Sequence, residues 1–366
     1  MRIVLTLGVV AVTILLVIAM LTTAGWDRPP IASEQHGYDG TGQVLVWNPR
    51  TRAASADLHE VPQSFFPFDE FKELPYYPDN LPADALLASD FYENVQVLGH
   101  LTVDQFNRLM TSMTTWVAPE ENGYDGCAYC HNLDNLADDS LYTYQVARRM
   151  FQMTWDVNMN WQDHVGATGV TCYTCHRGHP VPQNIWFTEP PDRSAGGFLG
   201  DRNQQNRPSP TAGMSSLPHD PYTAFFLEAE PIRVGGTQAL PYGNESTWQQ
   251  TEWTYSLMMH MSTSLGTNCT LCHNTNNFSS WENAPPQRYN AWYGIRMVRD
   301  LNNDYLVPLQ PVYPEMRLGH LGDAPKANCA TCHYGAQQPF YGTPMLDGYP
   351  SLRSAPVNPG QTASLE

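Results

Sequence analysis

Every cysteine of this chain lies in one of four Cys-x-x-Cys-His repeats: CAYCH at 127–131, CYTCH at 172–176, CTLCH at 269–273 and CATCH at 329–333. Two residues between the thiols let both sulfurs reach neighbouring edges of one porphyrin, and the next residue then sits beneath the metal. That is the attachment pattern of c-type haem. Disulfides and structural zinc also use Cys-x-x-Cys pairs. A zinc reading leaves the histidine after each second cysteine unexplained, and a disulfide reading gives it no role. The spacing therefore predicts four covalently bound haem c groups, attached through Cys127, Cys130, Cys172, Cys175, Cys269, Cys272, Cys329 and Cys332. His131, His176, His273 and His333 are the expected proximal iron ligands.

Four cofactors of this size restrict the fold. A chain of 366 residues is long enough for two domains, but the haems would supply much of the apolar interior, so one haem-filled body is expected. The 30 prolines and 26 glycines point to much irregular chain wrapped around the cofactors. The expected fold class is mainly α with long irregular loops, in two pseudo-symmetric halves each holding two haems, plus one N-terminal transmembrane helix.

That helix is read from residues 3–24, an uncharged apolar run which as an α-helix reaches ~33 Å and spans a bilayer. Arg2 before it keeps the N-terminus cytoplasmic and the bulk of the chain periplasmic. A cleaved signal peptide is the rival reading, since Thr22, Thr23, Ala24 and Gly25 are small; the run is longer than a signal core, which favours an anchor of residues 1–26. The formal charge of −17 argues against nucleic acid and for a basic partner. Around the first motif Glu120, Glu121, Asp125, Asp134, Asp138 and Asp139 stand with no Lys or Arg between 117 and 141, a candidate docking collar.

Along the chain, residues 27–98 read as an extended, Pro- and aromatic-rich segment packing on the haem body or on neighbouring subunits. Residues 99–180 form the first dihaem half. Its first helix opens on a capping box, Thr102 with Gln105, and shows an apolar face through Trp116. A longer helical pattern then runs from Val146 to His164. Residues 181–250 read as a Pro-rich connector, with ten prolines between 180 and 250. Residues 251–338 form the second dihaem half, with helices from about Thr251 to Leu265 and from Pro285 to Leu301; residues 339–366 are a C-terminal tail. An echo between Ala147-Arg148-Arg149-Met150 and Gly294-Ile295-Arg296-Met297 suggests a duplication.

An electron-transfer haem needs a second axial ligand, commonly Met or His. Met110, Met150 and Met258 each lie on a helix ahead of a motif, 21, 26 and 15 residues before its histidine. Met113, Met153, Met259, His260 and Met261 lie close enough to compete. For the fourth haem the spacing leaves Met297, His320 and His164 open.

The stretches Trp116-Val117-Ala118-Pro119, Gly126-CAYCH, Ala147-Arg148-Arg149-Met150, Thr168-Gly169-Val170-Thr171-CYTCH-Arg177-Gly178, Ser264-Leu265-Gly266-Thr267-Asn268-CTLCH-Asn274 and Gly294-Ile295-Arg296-Met297-Val298-Arg299-Asp300 closely resemble the tetrahaem cytochrome subunit of purple-bacterial photosynthetic reaction centres. The likeness covers most of the chain after about Asn94. It implies His/Met ligation of haems one to three through Met110, Met150 and Met258. It also implies a bis-histidine fourth haem whose distal ligand is His164, reached along the first-half helix if that helix is continuous. Two departures stand out: the loop from Glu120 to Asp125 is longer than in the family, and the N-terminal cysteine that carries a lipid in many members is absent.

The resemblance implies a near-linear haem row, with haem 3 nearest the pigment pair, then haems 4, 2 and 1. The function it implies is a periplasmic electron relay rather than an enzyme. Electrons would pass from a soluble cytochrome c or high-potential iron–sulfur protein to the photo-oxidised bacteriochlorophyll pair, with reaction-centre membrane subunits and the light-harvesting ring as further partners. The alternatives are a membrane-anchored tetrahaem quinol dehydrogenase and a multihaem reductase. The first is typically shorter with closely spaced motifs, whereas Cys172 and Cys269 are 97 positions apart here; the second needs an unusual proximal position, and all four motifs end in His.

Overall fold

The capping box at Thr102 forms in the computed structural model: Thr102 Oγ1 accepts from the Gln105 amide and Gln105 Oε1 accepts from the Thr102 amide. Such a box satisfies two orphan donors and stabilises a helix start by about 1 kcal/mol. The structure describes residues 2–23, 32–35, 44–47, 56–61, 73–74, 77, 80–189, 217–235 and 246–353. Helix α1 is Arg2–Thr23. Strands β1 (Ala32–Gln35) and β2 (Val44–Trp47) pair antiparallel, Ala32 opposite Trp47, within the expected extended segment. The remaining described regular structure is helical and includes α2 (Val103–Val117), α3 (Tyr142–Asn160), α4 (Gln162–Val165), α5 (Cys172–His176), α6 (Trp248–Ser264), α7 (Gln287–Asp300) and α8 (Cys329–His333), besides a single turn at Ala88–Phe91 and short 3-10 and π turns.

Three boundaries differ from expectation for local reasons. Helix α6 begins at Trp248, ahead of Thr251, because Thr247 and Gln250 build a second capping box. The pattern from Val146 to His164 is not one continuous helix: the backbone leaves helical values at Trp161 (φ −115°, ψ 29°), and His164 sits on the separate turn α4. The single N-terminal span expected from the sequence is also not seen as such. Among the described residues no helix is long and apolar enough to cross a membrane, the described side chains of α1 being Thr6 and those from Gly8 to Thr22. Those side chains are exposed, Leu15 and Leu16 at 65% each.

Packing follows the same plan on both sides of the molecule. Helix α2 lies against α5, and α6 lies against α8, so each helix preceding an odd motif supports the next even one. One core joins Leu109, Trp116, Phe151 and Trp155 to Phe340, Met345, Leu346, Tyr349 and Leu352. The described part of the expected C-terminal tail thus closes the core around α2 and α3. Trp186, Phe225 and Phe226, from the expected connector, bury against Leu257, Ile295 and Val298. Val157, Met297 and Leu301 form a third cluster joining α3 and α7.

Two buried asparagines repeat one hydrogen-bond pattern. Asn158 donates to the Val170 carbonyl (2.9 Å) and accepts from the Val170 amide (2.8 Å). Asn302 does the same to Ala327 (3.0 and 2.8 Å). Each pins the residue two positions before the first cysteine of an even motif. This pairs Met153-Thr-Trp-Asp-Val-Asn158 with Met297-Val-Arg-Asp-Leu-Asn302, and so Met150 with Gly294. The Arg-Met echo is therefore three residues out of register, because the side-chain bond rather than the helical Arg-Met pair fixes the correspondence.

Candidate functional site

The four motifs adopt two local forms. The odd ones are 3-10 turns, Gly126–Tyr129 and Cys269–Leu271; the even ones are the single-turn helices α5 and α8. In the even motifs the threonine between the cysteines closes the turn. Thr174 Oγ1 accepts from the Thr171 amide (3.0 Å) and Thr331 Oγ1 from the Asn328 amide (2.9 Å). Asn268 and Asn328 cap their motifs through the Thr270 and Ala330 amides. These bonds hold both thiols and the histidine on one turn. None of the eight cysteines is in a disulfide. Among the described residues no three His, Cys, Asp or Glu converge to hold a metal ion alone.

Each motif histidine is oriented through Nδ1. His131 donates to the Leu136 carbonyl (3.2 Å), His176 to His179 (2.9 Å), His273 to Phe278 (3.0 Å) and His333 to Ala336 (3.0 Å). A carbonyl only accepts, so the proton is on Nδ1 and the lone pair of the neutral ring is on Nε2. His164 is held likewise by the Asn290 carbonyl (2.9 Å). Burial holds His164, His176 and His273 below the ordinary imidazole range and takes His333 down to about 4, which keeps these rings neutral and able to ligate.

Three cavities open beside these rings. One of about 400 Å³ is lined by Met150, Cys172, Cys175 and His176. One of about 810 Å³ is lined by Met258, Cys269, Cys272 and His273, and four arginines, Arg233, Arg288, Arg296 and Arg299, stand in its wall. The third, about 140 Å³, is lined by Cys329, Cys332, His333 and His164. At the first motif Thr114, one turn beyond Met110 on α2, brings its hydroxyl to 3.6 Å from Cys127 Sγ, so the Met110 face of that helix is turned toward the motif.

The residues fit the cofactor. His164 and His333 face each other with ring centroids 5.9 Å apart. Two imidazoles binding one metal at about 2 Å put their centroids about 6 Å apart. Arg296 Nη1 and Gln287 Oε1 are buried without a hydrogen-bond partner at the walls of the large and small cavities, where a ligand carboxylate would accept from the first and a bridging water would donate to the second.

Several of the competing side chains line the same cavities, and others serve other contacts. Met113 and Met153 line the second motif's cavity beside Met150. His260 is buried with Nδ1 at 3.0 Å from the Tyr222 hydroxyl, and burial takes it down to about 3. Met261 lines the cavities of the third and fourth motifs, Met297 lines those of the second and fourth while packing with Val157 and Leu301, and His320 is exposed. Sequence reasoning missed Asn158, Asn302 and Gly294. The Met-x-x-Asp-x-Asn repeat is the signal that could have found the first two.

The profile of the family described as photosynthetic reaction centre cytochrome C subunit matches residues 27–353. The photosynthetic reaction center cytochrome c subunit of Rubrivivax gelatinosus is 48% identical over 342 residues, 93% of this chain and 88% of that one. Those of Thermochromatium tepidum and Roseobacter denitrificans are 42% and 43% identical, over 93% and 89% of this chain and 80% and 87% of theirs. With cysteine-histidine motifs folded for attachment and similarity running through nearly the whole length, the chain belongs to the photosynthetic reaction centre cytochrome c subunits, membrane-associated electron-transfer components that bind haem c covalently, and it is not an enzyme.

Proposed function

We propose that this chain holds four haems in a row and relays electrons, one at a time, from a soluble carrier to the photo-oxidised bacteriochlorophyll pair of the reaction centre. The observation that carries this reading is the repeated presentation of a free Nε2 by a Cys-x-x-Cys-His turn, four times over, with His164 facing the fourth. When bound, the haems supply the one-electron redox change. The chain's part is attachment, axial ligation and spacing. His131 with Met110, His176 with Met150, His273 with Met258 and His333 with His164 are the ligand pairs of this reading. The two equivalent asparagine contacts support two pseudo-symmetric halves.

Shared walls support the order of the row. Cys272 lines the cavities of both the third and the fourth motif, and Cys332 those of the fourth and the second, where Cys175 Sγ lies 2.9 Å from Cys332 Sγ. Cys130 of the first motif lines the second cavity. The sequence of sites is then third, fourth, second, first. Exposed Tyr255, Phe278 and Trp281 line the third site and suit an interface with membrane subunits of the reaction centre and the light-harvesting ring. Helix α1, 22 residues long and exposed along its apolar length, is the anchor of this reading and puts the haem body in the periplasm.

At the other end of the row, Glu120, Glu121, Asp125 and Asp134 are exposed around the first motif, as are Leu133 (64%) and Leu136 (57%). Asp139 is engaged by Arg148 at 2.7 Å, and hydrogen bonds hold Asp138 and Asp139 below the usual carboxylate range, so both stay ionised. An apolar centre ringed by carboxylates suits a basic cytochrome c or a high-potential iron–sulfur protein. Converting Glu120, Glu121 and Asp134 to lysine is expected to slow re-reduction by a basic cytochrome roughly tenfold at low salt, the difference fading above about 0.5 M salt. Stopped-flow kinetics across a salt series measures it, and a salt-independent rate would remove the collar from the docking site.

The function itself is tested by flash spectroscopy on native membranes with the haems poised reduced. Haem oxidation matched to re-reduction of the photo-oxidised pair, and lost in a strain lacking this chain, is expected. A silent flash, with haem reduction on adding quinol, would instead leave a quinol dehydrogenase.

A further inference from the structure

We propose that Gly294 is a positioning residue whose missing side chain makes the fourth site take its distal ligand from the other half of the molecule. The inference rests on the four-haem reading above. Gly294 is the eighth residue of the 14-residue helix α7 and carries no left-handed backbone angle. Nothing in its conformation calls for glycine, and a glycine inside a helix is about fivefold less favourable than alanine. Its compensation lies across the helix: a Cβ at 294 would stand 2.5 Å from His164 Cε1, 2.8 Å from Nδ1 and 3.1 Å from Nε2. The ring cannot simply swing aside, because its Nδ1 is bonded to the carbonyl of Asn290, one turn earlier on the same helix. Helix α7 thus grips the imidazole at one turn and vacates space for it at the next.

The register set by Asn158 and Asn302 gives this vacancy its meaning. Gly294 stands where the first half has Met150, the side chain lining the second motif's cavity. In one half the position supplies a thioether. In the other it supplies nothing, and His164 fills the place opposite His333. A single position on equivalent helices therefore decides whether a site is His/Met or bis-histidine.

The test uses the full chain in its reaction-centre complex, read by electron paramagnetic resonance of the oxidised haems, the far-red methionine–iron absorption band and redox titration. Gly294→Ala is expected to weaken or abolish the bis-histidine signal while the three other sites keep theirs. His164→Ala is expected to abolish it, and the double variant His164→Ala/Gly294→Met to replace it with an additional methionine–iron band. An unchanged bis-histidine signal and potential in Gly294→Ala, with no new methionine band in the double variant, would overturn the role of Gly294 while His164 stands. An unchanged signal in His164→Ala would overturn the ligand assignment and this inference with it.

Discussion

Asn302→Leu is expected to lower the stability of the second half by roughly 3–5 kcal/mol, a large part of the 5–15 kcal/mol typical of a folded domain. Asn302 is fully buried and makes three hydrogen bonds, to the amide and carbonyl of Ala327 and to the carbonyl of Phe226. Leucine fills the volume but leaves the Ala327 amide and the Phe226 carbonyl without that partner, and each such buried group costs about 1–3 kcal/mol. The Ala327 carbonyl keeps the Trp186 indole as a donor at 3.0 Å, so it adds little. The damage also reaches function, because Ala327 enters the turn that presents Cys329 and His333. Guanidinium unfolding followed by far-ultraviolet circular dichroism on the haem-loaded chain measures the loss. Asn158→Leu, which frees the Val170 amide and carbonyl and the Leu352 carbonyl, is expected to cost at least as much. A shift below about 1 kcal/mol in both would show that the repeated bond holds nothing.

The attachment sites were legible because their chemistry is local: two thiols and an imidazole must lie within five residues. Helix positions followed from apolar spacing and the box at Thr102. The second box, at Thr247, carries the same Thr-x-x-Gln signal and was passed over because the apolar face begins later. What lay outside reach was tertiary. The break at Trp161 separates α4 from α3 although the periodicity runs through it, since spacing reports a face but not whether the backbone stays helical. The register between halves was misread for a related reason. Arginine and methionine suit any helix, so their match carries little information, whereas Asn158 and Asn302 are buried polar residues with a single bonding solution each. Gly294 was invisible because its role is a distance to a side chain 130 positions earlier.

Arg296→Leu is expected to lower the midpoint potential of the third haem by roughly 100 mV while moving the other three little. Four arginines stand in the wall of the third cavity, and the wall of the fourth contains no Arg or Lys. Reduction removes one positive charge from the iron, so a nearby cation favours the reduced form. One unit charge about 7 Å away at an effective dielectric near 20 contributes about 2.4 kcal/mol. For a one-electron couple about 59 mV corresponds to a tenfold change, or about 1.4 kcal/mol, which gives the figure above. Arg296 is the arginine to choose because its guanidinium is held 3.1 Å from the Trp292 ring centroid with Nη1 buried, so water screens it poorly. Arg296→Lys keeps the charge and is expected to retain most of the potential, which separates electrostatics from lost packing. Redox titration of the α-band resolves the components. A third-haem potential unmoved by Arg296→Leu would mean that the arginine wall does not set it and that axial ligation alone separates the third site from the fourth.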